Sequence, residues 1–183
     1  MEVIKQNSQS QLIKSLLVIF LGSLILTISS KIKIPFYPVP MTMQTFVVLL
    51  IGFTFGWKLG GATIILYLFE GMIGLPVFSG TPEKGVGLIY FVGPTMGYLI
   101  GFLFTVFLVG YFKFDKNLLT NFIKLTFATS FIYTFGMLWL GYLVGWEKPI
   151  FELGAKPFLL AELFKILLAT FIITKFTKIK DLI

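Results

Sequence analysis

The chain contains no cysteine and no histidine. Without cysteine there is no disulfide framework, no thiolate nucleophile and no thiolate metal site. Without histidine there is no imidazole proton relay and no Ser–His catalytic pair. Arginine is missing too, since all 15 basic residues are lysines. An anion is held here by ammonium groups, hydroxyls or backbone, never by a guanidinium fork. Charge of any kind is scarce, at 13% of residues. The sequence also lacks a G-x-x-x-x-G-K-[ST] loop, an H-E-x-x-H pair and a paired acidic cluster suited to metal-dependent transfer. It has no means of using ATP by itself, and an enzyme reading has little to stand on.

What fills the space is hydrocarbon. Hydrophobic residues make up 57% of the 183 and mean hydropathy is +0.95, more than a soluble chain of this length can hide. No charge interrupts the stretch between Lys14 and Lys31, nor that from Leu88 to Tyr111. Each can cross about 30 Å of bilayer hydrocarbon. The pattern predicts an all-α integral membrane protein, one six-span domain over 1–183 with spans near 12–30, 41–55, 59–72, 88–112, 118–144 and 157–175. The first apolar stretch is long for a signal-peptide core and no A-x-A site follows, so it reads as a retained helix. Pro35, Pro38 and Pro40 demand an extended connection after it. Spans two and three, parted by a tight turn at Gly56-Trp57-Lys58, are short for the bilayer.

Six spans put both termini on one side, together with Lys5, Lys14, Lys58, Lys113, Lys116, Lys175, Lys178 and Lys180. Lys124 can snorkel to the same rim. The opposite side carries Lys31, Lys33, Lys84, Lys148 and Lys156. The positive-inside rule then predicts cytoplasmic termini and a multi-pass protein of the cell membrane. The net charge of +7 is accounted for by that rim, so no nucleic-acid partner is expected. Membrane lipid is the partner that composition implies directly.

Between Leu66 and Gly101 the apolar sequence is broken by Gly71, Gly74, Pro76 and then Gly93-Pro94-Thr95. Non-helical backbone at membrane depth is tolerated only where protein or a water-filled cavity surrounds it. A small ligand would meet the protein here. Polar groups that could serve it are few. Glu162 and Lys165 each cost roughly 2.5–3.5 kcal/mol at a helix centre. At i, i+3 they share a face, either as a structural ion pair or as part of a site. Gln44, beside Thr42 and Thr45, offers both a donor and an acceptor. Thr95 and Tyr98 follow the Gly93 break on one face, which a capping Thr and a core Tyr explain equally well. Glu70 reads as an interfacial carboxylate, and Tyr67, Phe78, Phe91 and Trp139 either line an apolar pocket or pack elsewhere.

Four segments carry a resemblance: PFYPVPMTMQTF (35–46), LYLFEGMIGLPVFSG (66–80), GPTMGYLIGF (93–102) and PFLLAELFK (157–165). With VPxTxQ, GLPVF and GPTxGY in this order, the chain resembles the BioY biotin transporter family over about residues 30–175. Members are six-helix substrate-binding S components of energy-coupling factor transporters. The resemblance implies biotin as ligand, captured from outside, with a T subunit and two ABC-type ATPases as partners that drive release inward. Some members are thought to work without that module. It implies a pocket of Gln44, Val77, Phe78, Gly93, Thr95, Tyr98, Glu162 and Lys165, supported by Tyr67 and with Lys84 as a basic residue in the preceding loop. The acid of the sixth helix is usually Asp in the family and is Glu162 here. Docking to the T subunit would use small residues of the first helix, here Gly22, Ser23 and Thr27. No cofactor, metal or catalytic residue is implied. A sister S component for another vitamin shares the expected fold, and an intramembrane enzyme or scaffold is the alternative of a different class.

Overall fold

A computed structural model describes residues 2–34, 37–83 and 85–180 of the chain. Lipid offers backbone no hydrogen bonds, so apolar runs of this kind close their own as helices. They do so as α1 (Glu2–Lys31), α2 (Gln44–Met72), α3 (Leu88–Phe91), α4 (Met96–Tyr111), α5 (Leu118–Val144), α6 (Ile150–Gly154) and α7 (Leu159–Lys180), with a 3-10 turn at Lys156–Phe158. Pro35, in the connection expected to be extended, lies outside the described residues, and residues 37–39 bend. The connection's two-residue strands, Lys33–Ile34 and Met41–Thr42, pair antiparallel.

Helix α2 is a hairpin rather than a rod. Gly56 has φ 70° and ψ 176°, outside helix geometry. The Gln44 side-chain amide donates to the Tyr67 hydroxyl at 2.7 Å although the two are 23 residues apart. A continuous helix would separate them by about 34 Å at 1.5 Å per residue. The arms 44–55 and 57–72 are therefore the second and third spans, about 18 and 24 Å long by the same rise. Only glycine takes the positive φ of this turn cheaply. With α1, α4, α5 and α7 the arms make six transmembrane helices. The lengths reconcile with hydropathy: Gln9–Lys31, α2 as a whole, α5 and Ile150–Thr177 are each long and apolar enough to span, and α4 is a shorter apolar helix.

Helix α4 is packed between the α2 hairpin and α5. Glycines permit the approach. A Cβ on Gly101 would lie 2.5 Å from the Cα of Ile132 on α5, and one on Gly110 would lie 2.2 Å from the backbone nitrogen of Trp57. Helix α7 closes the bundle against α5 and α2, where buried Asn121 donates to the Thr174 hydroxyl at 2.8 Å. Large apolar side chains such as Leu12, Phe20, Phe164 and Phe171 remain exposed on the outer faces, as a lipid-facing surface requires. Lys124 snorkels as expected, donating to the Lys113 carbonyl at 2.7 Å.

Three expectations are revised, those for Glu70, the 145–156 loop and the start of the sixth span. On α1, Gly22 and Ser23 face inward and Thr27 is half-buried. Gly22 abuts Thr63 and Phe55 of α2, and Ser23, fully buried, donates to a Glu70 carboxylate oxygen at 2.9 Å. Thr27 donates back to the Ser23 carbonyl. Glu70 is thus an interhelical acceptor, 8% exposed, rather than an interfacial carboxylate. The polar loop 145–156 contains the short helix α6. The sixth span starts its α-helix at Leu159 rather than Pro157, which places Glu162 in the first turn, where the helix dipole favours a carboxylate.

Candidate ligand-binding site

The broken backbone between α2 and α4 surrounds a cavity, as Gly and Pro at membrane depth predict. A cavity lies between the starts of α2, α4 and α7, a wall from α5 and the loop that follows α2. Of the residues singled out in the sequence, Gln44, Phe78, Thr95, Tyr98, Glu162 and Lys165 line this one cavity. They come from α2, the loop, the α4 start and α7, so nearly 120 residues of chain fold to bring them together.

The ion pair is its most polar corner. Glu162 is 3% exposed and Lys165 8%, and Lys165 Nζ lies 2.9 Å from Glu162 Oε2. The same ammonium donates to the Thr42 carbonyl at 2.9 Å and the Thr45 hydroxyl at 2.7 Å. Its three hydrogens are fully engaged. Glu162 Oε2 also accepts from Thr45 at 3.1 Å and from the Tyr133 hydroxyl at 2.9 Å. Glu162 Oε1, also buried, has no partner among the described residues. Buried carboxylate oxygens rarely stay unpaired, because desolvation without a compensating hydrogen bond costs several kcal/mol.

The opposite wall is built around Phe78. Its ring, 1% exposed, stacks on Tyr90 at 4.7 Å and meets Tyr67 edge-on at 5.1 Å. Gly71 makes room for it, since a Cβ there would overlap the phenyl edge. Next to it Ser79, 3% exposed, also lines the cavity, and its hydroxyl has no partner among the described residues.

Three of the expected residues stand behind the wall. The Tyr67 hydroxyl accepts from Gln44 and donates to the Val77 carbonyl at 3.1 Å, which orients the Gln44 amide. Val77 contributes that carbonyl rather than its side chain. The Gly93 carbonyl accepts from the Trp139 indole at 2.8 Å, which pins the break before α4. Trp139 and Phe91 are thus packing groups, Phe91 lying against Phe78 at 5.5 Å. Tyr98 lines the cavity with its ring while its hydroxyl donates to the Gly154 carbonyl at 2.7 Å. Thr95 is the residue before α4 but makes no side-chain cap. Lys84 lies outside the described residues.

Sequence reading missed Ser79, Tyr90, Tyr133 and the bridging part of Thr45. Thr45 had a signal, its place beside Gln44. Tyr133 had none, being one aromatic among many on an apolar helix. Taken together, the cavity offers one open carboxylate oxygen, an oriented amide, hydroxyls and aromatic faces. It suits a small ligand with N–H donors, an acceptor and an apolar body.

Comparison with known proteins agrees with this architecture. The family model described as the BioY family matches residues 4–181. The "Probable biotin transporter BioY" of Pyrococcus horikoshii is 35% identical over 139 residues, covering 76% of this chain and 81% of that one. The "Biotin transporter BioY" of Thermotoga maritima is 32% identical over 157 residues, covering 85% and 91%. Among solved structures, the S-component for biotin from an ECF-type ABC transporter superposes with a TM-score of 0.75 at 27% identity, covering 92% of this chain and 93% of that one. With the family model spanning nearly the whole sequence, and relatives at this identity covering most of it, the chain belongs to the BioY family.

Proposed function

We propose that this chain is a high-affinity biotin-binding membrane subunit for biotin uptake. The observation that carries the reading is Glu162 Oε1, a buried acceptor with no partner among the described residues, on a residue that lines the cavity. Biotin presents two ureido N–H donors, a ureido carbonyl, an apolar thioether ring and a carboxylate tail. Glu162 Oε1 accepts one ureido N–H, and the Gln44 amide serves a neighbouring donor or acceptor. The ring lies against Phe78 and the other aromatic walls. Lys165 meets a ligand carbonyl or carboxylate by releasing one of its three present acceptors. Its steadier part is to balance the carboxylate beside it. A buried charge needs such a partner.

Equilibrium binding of the purified protein to a vitamin panel tests the assignment. Biotin is expected to bind at least 100-fold more tightly than thiamine or riboflavin, a difference of about 2.7 kcal/mol. Either competitor binding more tightly than biotin overturns it in favour of an S component for another vitamin.

Energy comes from elsewhere in this reading. The chain has no nucleotide-binding loop, and a T subunit with two ATPases drives release inward. Both termini lie in the cytoplasm and the cavity opens outward across the cell membrane. Single cysteines report this directly because the native chain has none. An impermeant maleimide applied to intact cells is expected to label exposed Glu83→Cys and Glu152→Cys but not Lys116→Cys. The reverse pattern places the cavity on the wrong face for uptake.

A further inference from the structure

The 76–81 segment carries Phe78 and Ser79 to the cavity wall, yet it has no secondary structure to hold it there. Its backbone carbonyls are instead taken up by side-chain donors from three other elements. Ser30 at the end of α1 donates to the Val77 carbonyl at 2.7 Å, Tyr67 of α2 to the same oxygen, and Tyr90 of α3 to the Ser79 carbonyl at 2.8 Å. One donor reaches further. Lys31, the last residue of α1, places Nζ 2.6 Å from the Pro76 carbonyl and 2.9 Å from the Phe78 carbonyl. It also lies 3.1 Å from the Thr81 hydroxyl and 3.4 Å from the Thr81 carbonyl. One ammonium thereby ties both limbs of the turn that bears Phe78. Gly74 and Gly80, both at positive φ, flank or interrupt the segment and leave its backbone free to swing.

We propose that Lys31 is a positioning residue that keeps the 76–81 segment closed on the cavity and so sets how long ligand stays bound. Three hydrogens on one point charge satisfy carbonyls that are up to five residues apart in sequence, something a neutral hydroxyl cannot do. Because Ser30, Tyr67 and Tyr90 keep their own bonds, losing Lys31 loosens the segment without dismantling it. Lys31 is not among the residues lining the cavity, so it acts on ligand through the loop.

The test pairs a kinetic readout, which rests on biotin being the ligand, with one that needs no ligand. In the full-length purified protein, Lys31→Met is expected to speed dissociation of radiolabelled biotin about tenfold and to leave the association rate within about twofold. Lys31→Arg keeps the cation and donors and is expected to stay within about threefold of the native dissociation rate. Separately, Ser79→Cys, buried in the native background, is expected to react with maleimide at least fivefold faster once Lys31→Met is added. Thr81→Val removes one anchor from the other side and is expected to speed dissociation about threefold, which carries the test should Lys31→Met fail to fold. Faster labelling with unchanged dissociation overturns the proposal, as does faster dissociation with unchanged labelling. A slowed association rate at native dissociation makes Lys31 an electrostatic guide and overturns it equally. Failure of the native protein to bind biotin sinks the functional reading alone, since the labelling comparison still reports on the latch.

Discussion

Glu162→Ala and Lys165→Ala are each expected to weaken biotin binding by at least about tenfold, equivalent to 1.4 kcal/mol. The geometry gives the two losses different origins. Removing the carboxylate takes away the free Oε1 acceptor and strands Lys165, which retains only Thr42 and Thr45. Hydrogen bonds to charged groups are worth roughly 1.5–3 kcal/mol each. Removing the ammonium leaves a carboxylate at 3% exposure with hydroxyl donors alone, a change that costs about 3–5 kcal/mol when a buried pair is broken from one side. Glu162→Ala therefore falls chiefly on affinity, and Lys165→Ala on affinity and stability together. The double variant Glu162→Gln/Lys165→Met keeps shape, removes both charges and is expected to recover stability while binding stays poor. Affinity measured on monodisperse protein, beside a melting curve for each variant, separates the two. Near-native affinity in both single variants would return the pair to the scaffold.

A larger effect is expected where no ligand is involved. Gly101→Leu should leave little or no monodisperse protein. A Cβ at 101 meets the Ile132 Cα at 2.5 Å and the Phe131 carbonyl at 3.0 Å. Both are backbone atoms, which cannot turn aside as a side-chain end can. Four residues earlier on the same face of α4, Gly97 would meet the Phe135 carbonyl at 2.3 Å. This is the small-xxx-small arrangement that lets membrane helices touch along their backbones. Overpacking a well-filled core costs about 1–3 kcal/mol, and here α4 would have to withdraw from α5 along its length. The Thr105 hydroxyl would lose the Ala128 carbonyl, now 2.9 Å away. Size-exclusion profiles of Gly101→Ala and Gly101→Leu after extraction check the trend. A native profile for Gly101→Leu would mean that the α4–α5 seam is far softer than its packing suggests.

Hydropathy alone was enough for the class of this protein, its six spans and the places where helix must break. The reason is local: lipid forces every apolar run into helix, and Gly56, Gly93-Pro94 and the prolines after α1 cannot continue one. The i, i+3 spacing likewise places Glu162 and Lys165 side by side whatever surrounds them. Which oxygen of Glu162 is saturated was not legible there. Thr45 and Tyr133, which share Oε2 with Lys165, come from two other helices; Thr45 is marked only by its place beside Gln44, and nothing in its neighbouring sequence marks Tyr133. The same limit holds for Gly22 and Ser23. A stripe of small residues announces close helix contact, but only the folded bundle decides that the contact is with α2 of the same chain. Lys31 shows it most simply. In the sequence it is one of five lysines on the side opposite the basic rim. In the fold it closes hydrogen bonds to three residues at least 45 positions away. Periodicity and breakers act through neighbours along the chain and can be read from it. Partners across the bundle are chosen by packing, which the order of residues does not contain.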